Sequence, residues 1–131
     1  MTPVTDDLVD LIYEAAAIPE LWVAVLDAVA ARVGSVGGVI YAANAQHTGW
    51  VASGRVAPFL AVTAADASAP LNPRPQRAVA LNHAGFLVDH DLFTAAEIAR
   101  DPHYARLRNH GLGWCTGTVI RAPGGDSLVV S

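Results

Sequence analysis

The sequence has no lysine. Its eight cationic residues are all arginine, and with twelve carboxylates against them the formal net charge is −4. Neutralising phosphates supplies most of a protein's affinity for nucleic acid, so a chain this short of positive charge has no basic face with which to grip DNA. The densest positive stretch is Arg100, Arg106 and Arg108 with His103 and His110. Arg100 and Arg108 roughly share one side of a helix, and the plain reading is a solvated helix end. Cysteine is also nearly absent. The single thiol, Cys115, excludes an internal disulfide framework and suits a reducing compartment. No apolar run approaches the roughly 20 residues that a membrane helix needs; the nearest, residues 22–33, is interrupted by Asp27 and Arg32. The N-terminus lacks the charged start and continuous apolar stretch of a secretory signal. These absences predict a cytoplasmic protein with no membrane partner.

What is present is apolar and mostly small. A length of 131 residues fits one domain, and 53% hydrophobic against 15% charged residues favours a packed core. Alanine and valine supply much of that content. Trp22, Trp50, Trp114, Phe59, Phe86, Phe93 and Tyr104 must therefore carry a large share of the packing.

The N-terminal half opens with two helical patterns. Thr5 or Asp6 can cap a helix with the apolar stripe Leu8, Leu11, Ile12, Ala15 and Ala16. Pro19 marks a break, and a second helix over residues 20–32 carries Trp22, Val25, Leu26, Val29 and Val33 before Gly34 ends it. Residues 36–42 and 49–53 read as strands joined by a polar turn, a plausible antiparallel hairpin. Residues 55–69 predict a helix. Pro70, Pro73 and Pro75 then predict a loop or a link between two halves of the domain, with a helical turn or short strand over 77–82.

Residues 85–89 read as extended. Thr94 with Glu97 has capping-box spacing, and Asp101-Pro102 is a second helix start, so two short helices follow over 95–100 and 102–109. Residues 113–122 form a strand, Gly124-Gly125-Asp126 a tight turn, and Ser127 begins a last strand. The chain stops inside that strand with nothing after it to cover it, so an incomplete, C-terminally truncated domain is expected.

Chemistry is sparse. Gly111-Leu-Gly113-Trp-Cys-Thr-Gly117 is one residue off a dinucleotide fingerprint, and it opens a strand where phosphate cradles open a helix. Cys115 reads as a structural thiol. Asp89, His90 and Asp91 are metal-capable, but on an extended chain the two carboxylates point away from the histidine, and no second histidine has helical ligand spacing. Serine, histidine and aspartate occur without a nucleophile elbow. No catalytic residue, metal or cofactor is expected, and the chain does not read as an enzyme. A small sheet flanked by helices can leave a hollow lined by aromatic side chains. Tyr41, Trp50, Phe86, Tyr104 and Trp114 are the candidates to line it around a small ligand.

The segments Phe86-Leu-Val-Asp-His-Asp-Leu-Phe93, Thr94-Ala-Ala-Glu-Ile-Ala-Arg-Asp101-Pro-His-Tyr104, His110-Gly-Leu-Gly-Trp-Cys-Thr-Gly117 and Gly124-Gly-Asp126 together resemble the N-terminal sensory region of a group of bacterial LuxR-type transcription regulators. Leu11-Ile-Tyr-Glu-Ala-Ala, Leu21-Trp22 and Val25-Leu26 resemble the start of the same region, and the likeness is weakest over residues 55–80. The resemblance implies an α+β fold of GAF- or PAS-like type, an antiparallel sheet with helices on both sides, as a single sensory domain over residues 1–131. Such regions are usually dimeric, so a homodimer is expected; the resemblance implies no particular ligand, and a small molecule of unspecified identity is the expected partner of a sensory domain. The resemblance also implies that DNA is met only through a helix-turn-helix, which residues 1–131 do not contain. A dimerisation or interaction module without a ligand is the alternative, and a small enzyme using Cys115 or the acid–histidine cluster a distant third.

Overall fold

The computed structural model describes residues 4–44 and 46–131. The side chains of residues 4–6, and with them the expected cap at Thr5 or Asp6, lie outside the described residues. Helix α1 (Val4–Ala17) leads through a 3-10 turn (Pro19–Leu21) into helix α2 (Trp22–Val33). Proline at the first position of the turn costs no backbone bond, because that N–H has no partner there anyway. Gly34 closes α2 in the left-handed region at φ 66°. The buried face of α2 is Val25, Leu26 and Ala30, with Trp22 half-buried, while Val29 and Val33 are 39% and 71% exposed. The expected stripe holds at Trp22, Val25 and Leu26 and is corrected at Val29 and Val33. Ala30, four residues beyond Leu26, continues the buried line that had been given to Val29.

Five strands form one antiparallel sheet: β1 (Val39–Ala43), β2 (Thr48–Ala52), β3 (Leu87–Val88), β4 (Thr116–Arg121) and β5 (Ser127–Val130), in the order β2-β1-β5-β4-β3. The predicted hairpin is β1–β2, with Tyr41 opposite Trp50. The last strand is not left uncovered, since β5 hydrogen-bonds to β1 on one side and to β4 on the other. Helices lie between the strands in sequence: α3 (Ala57–Ala65) and α4 (Arg74–Leu81) before β3, then α5 (Asp89–Leu92), α6 (Ala95–Arg100) and α7 (Pro102–Asn109) before β4. The chain is an α+β domain whose open antiparallel sheet is flanked by helices.

Several predicted boundaries move, each for a local reason. Helix α3 is shorter than residues 55–69 because Asp66 turns the chain, its carboxylate accepting from both the N–H and the hydroxyl of Ser68. The proline-rich stretch is loop through Pro73, as one of the two expectations had it, and helix from Arg74 on. Pro75 sits in the first turn of α4, where proline is tolerated. Residues 77–82 are helical rather than extended, Asn82 ending the helix at φ 49°. Only Leu87 and Val88 of the stretch 85–89 are strand. Asp89 heads α5, and the Asp91 carboxylate accepts from the Val88 N–H at 2.8 Å.

One face of the sheet carries the core. Val39 and Ala52 pack on Val56, with Tyr41, Ala57 and Leu60 against them. Leu60 also joins the second cluster, Phe59, Phe93, Tyr104 and Leu107, so α3 ties the sheet to α5 and α7. On the opposite face Leu26 of α2 approaches Gly38. Toward the β4–β3 side that face is open, with Ile120 and Val88 each 47% exposed.

Candidate functional site

An ionised pair lies inside this small domain, between the sheet and the helices that follow α3. Asp89 is 1% exposed and the side chain of Arg74 15%. Asp89 reaches the interior because β3 ends in the apolar run Leu87–Val88 and the chain turns directly into α5. Arg74 reaches it from the start of α4. Arg74 Nε donates to Asp89 Oδ1 at 2.7 Å, and Nη2 donates to Oδ2 at 3.3 Å. The Tyr104 hydroxyl of α7 donates to Oδ1 at 2.6 Å, and the Cys115 backbone N–H donates to Oδ2 at 2.8 Å. Arg74 also donates to Tyr104 Oη at 3.2 Å and to the Gly113 carbonyl at 2.9 Å, with its guanidinium 4.7 Å from the Tyr104 ring centroid. Three separated segments thus converge on the Asp89 carboxylate with both oxygens satisfied, the condition under which a buried charge is tolerable.

The same bonds explain why β4 begins at Thr116 and not at Gly113. The Gly113 carbonyl and the Cys115 N–H are engaged by side chains, so these residues cannot contribute those groups to the ladder. They also explain how Asp89, His90 and Asp91 part company. Asp89 is consumed by the pair, Asp91 caps α5, and His90 is exposed with its ring 4.8 Å from that of Trp114. Among the described residues no group of three or more histidine, cysteine, aspartate or glutamate side chains is placed to hold a metal ion.

Burial shapes the electrostatics around the pair. It raises the Tyr104 hydroxyl far above its ordinary value, and the hydrogen bond to Asp89 pushes in the same direction. Burial opposes the charge on Arg74, but its bond to Asp89 and the neighbouring groups outweigh this and hold it protonated. Burial also raises the Cys115 thiol, with the Arg74 charge pulling the other way. A thiol held above its ordinary range is a poor nucleophile at neutral pH. The Tyr41 hydroxyl is raised by burial and by Cys115, again against Arg74.

The five aromatic candidates separate. Tyr104 is 3% exposed and belongs to the polar cluster. Tyr41 is half-buried on the core face of β1 and feels the same Arg74 charge. Trp50, its cross-strand partner, is 41% exposed on an edge strand. Phe86 and Trp114 stand further out, at 62% and 75% exposed. Two open hollows among the described residues are lined by none of the five. One, about 440 Å³, lies among Pro73, Arg77, Phe93, Glu97, Arg100 and Pro102. The other, about 400 Å³, lies at the hairpin ends near Asn44, Thr48, Ala122 and Leu128. In the first, Arg77 is already committed to Glu97 at 2.8 Å and to the face of Phe93 at 4.6 Å.

The positive stretch of the sequence is dispersed. Arg106 pairs with Asp66 at 3.1 Å, His110 Nδ1 lies 2.9 Å from the Arg106 carbonyl, and His103 is buried at 5% exposure. Neither ring nitrogen of His103 has a hydrogen-bond partner among the described residues. Burial lowers its pKa, helped by Arg74 and Arg106 and opposed by Asp101 and Asp89. Arg74 and His103 were not legible as site residues. An arginine set between two prolines, Pro73 and Pro75, was the one available signal for Arg74. No family model, curated protein or solved structure matches the chain.

Proposed function

We infer that this chain is a cytoplasmic small-molecule sensory domain of a LuxR-type transcription regulator, with a GAF- or PAS-like build and no DNA-binding surface of its own. The observation that carries the reading is the Arg74–Asp89–Tyr104 cluster between the core face of the sheet and the later helices, with Tyr41 and Cys115 beside it. Interiors exclude ions unless something compensates them, and a domain rich in alanine and valine has little stability to spare. An interior polar cluster is what a site for a polar ligand requires. A ligand would lie against Tyr41 and Cys115, the members that Asp89 does not hold through their side chains. The antiparallel five-stranded sheet with flanking helices and the matched string from Phe86 to Asp126 support the same assignment. The net charge of −4 leaves DNA contact to a helix-turn-helix outside residues 1–131.

The test is a thermal-shift screen of the wild-type protein against several classes of polar metabolite. A ligand at 100 times its Kd stabilises the fold by about 2.7 kcal/mol. The expected hit raises Tm, and Tyr41→Phe or Cys115→Ser weakens the rise. No hit, or a hit indifferent to both substitutions, refutes this site. The exposed side chains of Tyr13, Phe86 and Trp114 favour the second reading, an interaction module with no small ligand, whose Tm depends on protein concentration alone.

A further inference from the structure

A second group of buried polar atoms lies where α3 and α7 pack together. Phe59, near the start of α3, meets the His110 ring just past the end of α7, with centroids 4.9 Å apart. Asp66, just past the end of α3, accepts from Arg106 Nη1 at 3.1 Å, one turn earlier in α7. The two helices therefore run in opposite senses. Thr63 lies one turn beyond Phe59 and His103 one turn before Leu107, and Phe59 and Leu107 belong to one core cluster. Residues four apart share a helix face. Thr63 and His103 thus stand on the faces that α3 and α7 turn toward each other, and Arg106, three residues after His103, borders the same seam.

Four atoms here are buried without a hydrogen-bond partner among the described residues: Thr63 Oγ1, both ring nitrogens of His103, and Arg106 Nε. No other buried side-chain nitrogen or oxygen among the described residues lacks one. Buried polar groups are otherwise nearly always paired, so their gathering at one seam points to a partner that comes from outside the chain. The donors select its chemistry. Arg106 is tied to Asp66 through Nη1 alone. That leaves the edge formed by Nε and Nη2, the planar fork that receives a carboxylate in two parallel bonds. Arg74 uses the same edge on Asp89. The Thr63 hydroxyl and the N–H of the neutral His103 ring are two further donors. Asp66 is partly exposed and shared with Ser68, and an ion pair open to solvent neutralises little. The other carboxylates that bear on His103 are engaged elsewhere, Asp89 by Arg74 and Asp101 by the first N–H groups of α7.

We propose that the α3–α7 seam is a binding site for a small carboxylate, held on the Nε–Nη2 edge of Arg106 with the Thr63 hydroxyl and the His103 ring as further donors. A water molecule would satisfy single atoms, but it brings no charge and leaves the guanidinium fork half used. The inference does not depend on the reading of Tyr41 and Cys115, whose side chains take no part in this site.

The test titrates the wild-type protein with sodium acetate at neutral pH, against sodium chloride at equal ionic strength, and follows the His103 ring signals by nuclear magnetic resonance. The expected result is a saturable shift with acetate that chloride does not reproduce, accompanied by a rise in Tm. Arg106→Lys keeps a charge beside Asp66 without the planar fork and should raise the half-saturating acetate concentration about tenfold. Thr63→Val, which exchanges one hydroxyl for a methyl group, should raise it by a smaller factor and decides alone if far-UV circular dichroism shows that Arg106→Lys does not fold. A wild-type protein without a saturable shift overturns the proposal and leaves the seam to water. So does a shift that chloride reproduces, or one that the folded variants leave unaltered. The His103 signals report on this seam, so a failure here and a failed ligand screen are separate results.

Discussion

Asp89→Asn alters a single charge and nothing of the shape, which makes it the sharpest probe of the interior cluster. Asp89 accepts from Arg74 twice, from Tyr104 and from the Cys115 N–H. An asparagine can accept only through its one oxygen. With its NH₂ in the Oδ2 position it faces two donors, Arg74 Nη2 and Cys115 N–H. With the NH₂ in the Oδ1 position it faces Arg74 Nε, and the Tyr104 hydroxyl must turn. Either orientation leaves the guanidinium buried without a counter-charge, and breaking one side of a buried ion pair costs about 3–5 kcal/mol. A domain of this size has on the order of 5–15 kcal/mol in all. At about 4 °C per kcal/mol, between the values for smaller and larger domains, the expected fall in Tm is about 12–20 °C. Urea titration followed by far-UV circular dichroism measures the change. Replacing both partners, Arg74→Met with Asp89→Leu, removes the ions together and should recover part of the loss, the remainder reflecting the Tyr104 hydroxyl, the Cys115 N–H and the Gly113 carbonyl left without these partners. A single-variant loss below about 1 kcal/mol, the scale of a surface change, would refute the reasoning. So would a double variant worse than the single.

The remaining predictions concern His103 and Gly37. The folded pKa of His103 lies below its ordinary value of 6.5, so above pH 6.5 both folded and unfolded chains hold it neutral. Below that, the unfolded chain takes a proton that the folded chain refuses, and stability falls as pH falls. Asp66 is lowered from 3.8 by its bonds to Ser68, and Glu97 from 4.5 by its bond to Thr94 and then by Arg77. Both also lose stability on acidification, but in the carboxylate range. Thermal melts from pH 7.5 to 5.5 should show a decline that His103→Leu flattens, and an equal decline in both proteins would exclude His103 as its source. A Cβ on Gly37 would overlap the Ser53 hydroxyl and come within 2.5 Å of Val56 Cγ2. Gly37→Ala should cost about 1–3 kcal/mol by overpacking, read from the shift in urea midpoint, and a neutral result would show that the Ser53 turn is loosely packed.

The parts of this fold written in local chemistry were legible in the sequence. The Thr94–Glu97 reciprocal bonds, the Asp101 cap with Pro102, Gly34 and the β1–β2 hairpin all depend on neighbours a few residues away, and each is present. What was not legible depends on distant partners. Arg74 begins a helix inside a proline-rich stretch, where local preference argued for a loop, and its partners lie 15, 30 and 39 residues away. Asp89 looked like one of three metal-capable residues until the turn into α5 carried it inward and left His90 outside. The aromatic rule failed to gather a pocket for a related reason. Size marks a residue as able to pack, and strand parity and edge position decide whether it does, so Tyr41 and Trp50 face the same way but only Tyr41 lies beneath α3.

The place of β5 in the middle of the sheet has a consequence for the order of assembly. Ile40 pairs with Val130 and with Val51, at separations of 130 − 40 = 90 and 51 − 40 = 11 residues. The first hairpin can therefore form early, while the inner side of β1 stays bare until the last of the five strands has been synthesised. Contacts at long separation slow folding. During that interval the inner side of β1 is exposed as an edge that the finished sheet does not have, and it is an apolar one, Val39-Ile40-Tyr41. The newly made protein is thus at greatest risk of pairing with the wrong neighbour just before Ser127–Val130 becomes available to close the sheet.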